Sequence, residues 1–132
     1  MQILALYAGL LGLVFIFLSY RVVAYRRSLR IGIGSGDNKD LNRAIRVHAN
    51  FVEYVPIALV LLAVFELNQG NFIVSHICGA LLLVGRLLHA YGLGKTVRVT
   101  FGRFIGTLLT WIVISFLSIA NIYYFMVLAL GN

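Results

Sequence analysis

Residues 43–56 read RAIRVHANFVEYVP. Within eleven residues this stretch carries Arg43, Arg46, His48, Asn50 and Glu53, set among Ala, Val and Phe. An α-helix turns about 100° per residue, so Arg46, Asn50 and Glu53, spaced four and three apart, share one face. Arg43 extends the same stripe by a turn. A cation, an amide and a carboxylate in a row are costly in apolar surroundings unless they pair or line a cavity. Whether the surroundings are apolar depends on the rest of the chain.

They are. The chain has 132 residues, 61% of them hydrophobic, with eleven Lys and Arg and four Asp and Glu. Its mean hydropathy is +0.97. That composition excludes an ordinary soluble domain and fits one integral membrane domain over residues 1–132. The single Cys78 excludes an internal disulfide framework. A pI of about 10.1 raises nucleic acid as a partner. The basic residues flank apolar spans, however, so membrane orientation and anionic ligands account for them better. The first 20 residues carry no charge and no basic leader, which reads as a span rather than a cleavable signal.

Working outward, four apolar segments emerge, at about 2–25, 41–67, 72–93 and 104–130. Arg21, Arg26, Arg27 and Arg30 mark the exit of the first. A glycine-rich loop, GIGSGDNKD, leads to the second, with Asp40 as the expected N-cap and a bend expected at Pro56. Asn68-Gln69-Gly70-Asn71 is an uncharged turn, and Lys95, Arg98 and Arg103 form a second basic loop before an uncharged fourth span. The predicted architecture is an all-α, four-transmembrane-helix bundle. Both basic loops fall at one end, so the positive-inside rule places them in the cytoplasm and both termini opposite.

A tight turn makes the second and third helices antiparallel neighbours. Glu53 then stands level with Arg86 and Asn50 with His89, about 25 Å from the turn. Two readings follow. Glu53 and Arg86 form an ion pair that docks the helices, or they belong to a polar patch with Arg46, Asn50 and His89 that lines a ligand pocket. His76 reads as simply hydrogen-bonded and Cys78 as packing. His48 points away from the Arg46 face, toward another helix or subunit. No metal site is expected, because His48, His76 and His89 lack ligand spacing.

RAIRVHANFVEYVP, preceded by YRRSLRIGIGSGD and followed by GRLLHAYG, resembles the MAPEG family, membrane-associated proteins in eicosanoid and glutathione metabolism. The likeness covers nearly the whole chain and is greatest to the small prokaryotic branch. Members are similar to microsomal glutathione transferases and leukotriene C4 synthase. The resemblance implies a four-helix bundle assembled as a homotrimer, with glutathione as thiol co-substrate between subunits near the cytoplasmic side. It implies that Arg46, His48, Asn50, Glu53 and Tyr54 contact glutathione, joined by the basic cluster Arg26 and Arg30; Arg86 and His89 are added to the binding set from the polar patch read above. Arg103 would activate the thiol, with Arg27 assisting and Arg98 as a rival for the role. A permanent cation beside a thiol favours the nucleophilic thiolate. The chain departs from the best-known enzymes late in the third helix, where His89 and Leu93 stand in place of tyrosines.

Three functions compete. The first is a membrane-bound, glutathione-dependent transferase or peroxidase acting on lipophilic electrophiles, a detoxification chemistry. The second is a non-catalytic lipid-binding or scaffold protein of the same fold. The third is a small transporter using Glu53, disfavoured because a neighbouring Arg86 would keep that acid charged.

Overall fold

In a computed structural model, which describes residues 2–95 and 100–130, the chain forms four helices: α1 (Gln2–Leu29), α2 (Lys39–Leu67), α3 (Phe72–Lys95) and α4 (Phe101–Leu130). All four are long and apolar enough to cross a membrane, so the protein is an all-α, multi-pass integral membrane bundle. α2 and α3 form the central pair. α1 packs on both, α4 packs on both from the other side, and among the described residues α1 does not meet α4.

The ends of the helices follow local chemistry. α2 begins two residues before the expected start, and its N-cap is Asn38 rather than Asp40. The Asn38 carboxamide oxygen accepts the Asp40 and Leu41 N–H groups at 3.0 and 2.9 Å. Asp40 instead sits in the first turn, where it pairs with Arg43 one turn on. α2 continues through Pro56 as one helix. Its C-terminus closes with Gln69 at φ 60° and the Gly70 N–H on the Phe65 carbonyl at 2.9 Å. Asn71 then caps α3 by accepting the Ile73 N–H at 2.9 Å. α4 starts three residues earlier than expected, so Arg103 lies within its first turn. The Thr100 hydroxyl caps it, accepting the Arg103 N–H at 3.3 Å.

α2 turns Ala44, Val47, Phe51, Val55, Ala58, Leu62 and Phe65 inward, a three-and-four spacing that runs its whole length. Leu11 and Leu18 of α1, Leu82 of α3, and Val113 and Leu117 of α4 meet that stripe. Lipid tails are as apolar as leucine, so helix docking in a membrane relies on close packing and on polar contacts. Both are present. Gly85 and Gly92 of α3 face Gly102 and Gly106 of α4. A Cβ on Gly106 would come within 2.7 Å of the His89 amide nitrogen, and one on Gly92 within 2.7 Å of that of Arg103. The two backbones therefore touch where only glycine fits.

Polar contacts fasten the end away from the basic loops. Glu66 accepts the Leu4 N–H at 2.7 Å and so caps α1. Tyr7 fills the space above Gly79 and hydrogen-bonds His76 at 3.3 Å. Asn121 donates to the Leu61 carbonyl at 2.9 Å. His76 thus takes the plain hydrogen-bonding role read from the sequence, and Cys78 is buried in the core.

Candidate functional site

Arg86 organises the polar part of the bundle. Its side chain enters the space between α2 and α4 and is 2% exposed. The guanidinium donates to the Asn50 carboxamide oxygen at 2.7 Å and to the Gly106 carbonyl at 3.0 Å, and lies 5.5 Å from the centre of the Tyr54 ring. The Gly106 carbonyl also accepts the Thr110 hydroxyl at 2.8 Å. Access to that carbonyl depends on the glycine contact between α3 and α4.

The expected pair between Arg86 and Glu53 does not form. Equal depth along two helices does not mean equal direction around them. Asn50 sits on the inner edge of the polar face of α2 and meets Arg86. Glu53 sits on its outer edge, exposed and in line with Arg46, Ile57, Val60, Val64 and Leu67. Among the described residues the Glu53 side chain has no partner. A charged group at the middle of a membrane helix costs on the order of 3 kcal/mol.

Around the Arg86–Asn50 contact opens a cavity of about 200 Å³, lined by Asn42, Arg43, Arg46, Asn50, His89, Leu93 and Arg103. Four expected site residues therefore converge: Arg46, Asn50, His89 and Arg103. Asn42, Arg43 and Leu93 join them. Asn42 and Arg43 stand one turn before Arg46 on α2, so helical spacing alone could have placed them in the site. Arg103 reaches the cavity from the first turn of α4, whose unsatisfied N–H groups add positive potential to its charge. The lining carries three arginines and two amides and no carboxylate. Arg43 is also paired with Asp40, and the guanidiniums and carboxamides together offer donors that an anion with hydrogen-bonding groups could use.

The other expected residues stand elsewhere in the chain. Tyr54 lies against Arg86, behind the Asn50 contact. His48 turns to α1, with its Nε2 3.0 Å from the Ser19 hydroxyl and its ring against Phe15. Arg26 binds loop carbonyls, and Arg27 and Arg30 end α1 as exposed side chains. Arg98 lies outside the described residues. An apolar groove of about 420 Å³ runs between α1 and α2, lined by Leu11, Gly12, Phe15, Phe51, Val55 and Pro56 among others. It adjoins the exposed edge of α2 that carries Glu53.

Fold and site together define a four-helix membrane protein with a cationic pocket at one end. The MAPEG family model matches residues 4–123, and the chain belongs to that family. It is 41% identical over 120 residues to the inner membrane protein YecN of Escherichia coli K12, covering 91% of this chain and 90% of that protein. The same protein from E. coli O6:H1 matches with the same identity and coverage.

Proposed function

We propose that the pocket between α2, α3 and α4 binds glutathione, and that the protein joins glutathione through its sulfur to lipophilic electrophiles or uses its thiol to reduce peroxides. The observation that carries this reading is the lining itself. Arg43, Arg46 and Arg103 converge with Asn42 and Asn50 on one cavity. Glutathione offers carboxylates for the cations and peptide groups for the amides. In the transfer reaction the thiolate sulfur forms a bond to an electrophilic carbon and the leaving group departs with the electron pair. Arg103 stabilises that thiolate, and the thiol proton passes to solvent. Arg103 does so as a fixed charge and not as a base.

Arg86 serves this site without reaching the ligand. It fixes the Asn50 carboxamide and so presents the amide to the cavity. Arg27 joins the chemistry only where the α1 of a second copy brings it to the pocket. Assembly itself is supported by Glu53, whose carboxylate is covered if copies of the chain meet along the exposed face of α2. A homotrimer is the arrangement implied by the family resemblance. In such an assembly Glu53 faces the glutathione ammonium. The membrane is the bacterial inner membrane, as for the E. coli relative, with both basic loops on the cytoplasmic side.

The apolar groove beside the Glu53 edge favours a second reading, a lipid-binding or scaffold protein without catalysis. Turnover separates the two. Conjugation of glutathione to 1-chloro-2,4-dinitrobenzene by the purified protein is expected, with a fall of about 100-fold in Arg103→Ala. No turnover in the wild type, with a lipid retained through purification, establishes the second reading instead.

A further inference from the structure

Two of the three histidines in the chain are tied down by hydrogen bonds. His48 meets the Ser19 hydroxyl at 3.0 Å, and His76 meets that of Tyr7 at 3.3 Å. His89 differs. It is 4% exposed and lines the cavity between α2, α3 and α4, and its ring nitrogens have no hydrogen-bond partner among the described residues. A buried polar group left without a partner is costly and calls for an explanation. Nor are those nitrogens sealed in the core, as the Ser75 hydroxyl is; they keep a small opening, and the space beside them is the cavity.

The backbone fixes where the ring starts. α3 and α4 touch at His89 and Gly106, where a Cβ on Gly106 would lie 2.9 Å from the His89 Cβ. Arg103 stands one turn earlier on the same face of α4, about 4.5 Å along the helix toward the basic end. An imidazole and a fixed cation therefore border one space from neighbouring turns. The rest of the lining has no means of moving a proton. Arg43, Arg46 and Arg103 keep their charge, and Asn42, Asn50 and Leu93 do not titrate. Tyr54 lies behind the Asn50 contact, off the cavity. Histidine is the side chain suited to take a proton and return it near neutral pH.

We propose that His89 is the proton acceptor for the glutathione thiol. The assignment rests on the reading that this cavity binds glutathione. The S–H bond breaks as its proton passes to an imidazole nitrogen, and the sulfur keeps the electron pair beside Arg103. The sulfur then bonds to the electrophilic carbon, the leaving group departs with its electron pair, and the imidazolium returns the proton to solvent. The charges around His89 decide when the transfer occurs. Arg86 stands one turn away on α3, Arg103 comes from α4, and Arg43 and Arg46 come from α2. From α1, Arg21 reaches the end of α3 at Gly94. Asp40 is paired with Arg43, and Glu53 lies on the outer edge of α2, so no carboxylate of the described lining offsets these cations. In the empty cavity they oppose one more positive charge. Glutathione brings two carboxylates against one ammonium, and its thiolate adds a third anion. Proton acceptance is thereby tied to the presence of the ligand.

The test uses the full-length protein in detergent at about pH 7, where free glutathione is mostly thiol. Thiolate is read by its ultraviolet absorbance and released protons by a pH indicator. S-methylglutathione, which has no thiol proton, reports binding alone, and its proton release is subtracted. The wild type is expected to form thiolate while releasing well under one proton for each. His89→Gln and His89→Asn keep a polar side chain that cannot take the proton. Both are expected to bind S-methylglutathione as the wild type does and to form little thiolate. Both should turn over 1-chloro-2,4-dinitrobenzene about 100-fold more slowly, a gap that narrows at about pH 9.5, where the thiol ionises unaided. One full proton released per thiolate, no thiolate in a wild type that binds, or wild-type thiolate formation in both variants would overturn the role of His89 while glutathione binding stands. Failure of the wild type to bind either S-methylglutathione or glutathione would remove the glutathione reading and this one together.

Discussion

The two ends of the bundle handle polar groups in opposite ways. At the end near the α2–α3 turn, they join one helix to another: Glu66 to the Leu4 amide, Tyr7 to His76, Asn121 to the Leu61 carbonyl. At the basic end, Arg46, Asn50, His89 and Arg103 surround a shared cavity, and Arg86, the one fully buried cation among the described residues, serves to hold Asn50 in place. Each end has a cavity. One near the turn is lined by Gln2, Gln69 and Ser75 around Glu66, with no cation among its described lining residues, whereas the basic one is lined by three arginines and no carboxylate. Membrane burial makes unpaired polar groups expensive at both ends. The basic end differs in that three arginines, one of them paired with Asp40, border one space, an arrangement that supports the proposed ligand site better than a plain helix fastening.

Substitutions can break or sharpen this contrast. The largest effect is expected for Arg86→Ala, which strips Asn50 of its partner, removes one of the donors to the Gly106 carbonyl and leaves a void. A loss of about 2–4 kcal/mol in detergent unfolding, with collapse of glutathione binding, is predicted. Next comes Gly106→Ala, where the added methyl has no room against His89. It should cost about 1–3 kcal/mol by separating α3 from α4, measured in the same way. At the opposite end, Glu66→Ala removes the cap on α1 and should cost about 1 kcal/mol while glutathione binding stays intact. Tyr7→Phe should cost least, about 0.5–1 kcal/mol, again with binding unchanged. If the Glu66 or Tyr7 substitutions impaired binding as strongly as Arg86→Ala, the two ends would not be functionally distinct.

Much of this was legible in the sequence because hydropathy and helical spacing report directly on span and face. Four helices, the antiparallel α2–α3 pair and the grouping of Arg46, Asn50 and His89 all follow from such periodicities. The partner of Arg86 did not. Depth can be counted from a turn, but how a helix face is turned toward its neighbour cannot, and Asn50 and Glu53, about 60° apart on one face, fall on either side of the edge that meets Arg86. The docking of α4 was also hidden, because it depends on Gly85, Gly92, Gly102 and Gly106 meeting across two helices. Bringing α4 close is what places Arg103 at the cavity. The N-cap of α2 was misplaced from Asn38 to Asp40 because both are good caps, and only the hydrogen-bond geometry separates them.

The most direct test is calorimetric titration of the detergent-solubilised protein with glutathione, in the wild type, Arg46→Ala and Asn50→Ala, with Glu66→Ala as the control from the other end. Binding in the wild type and the control, weakened by about tenfold or more in Arg46→Ala and Asn50→Ala while both stay folded, is the predicted result. Absence of wild-type binding at millimolar glutathione, or full affinity retained in Arg46→Ala, would contradict the assignment of the cationic pocket.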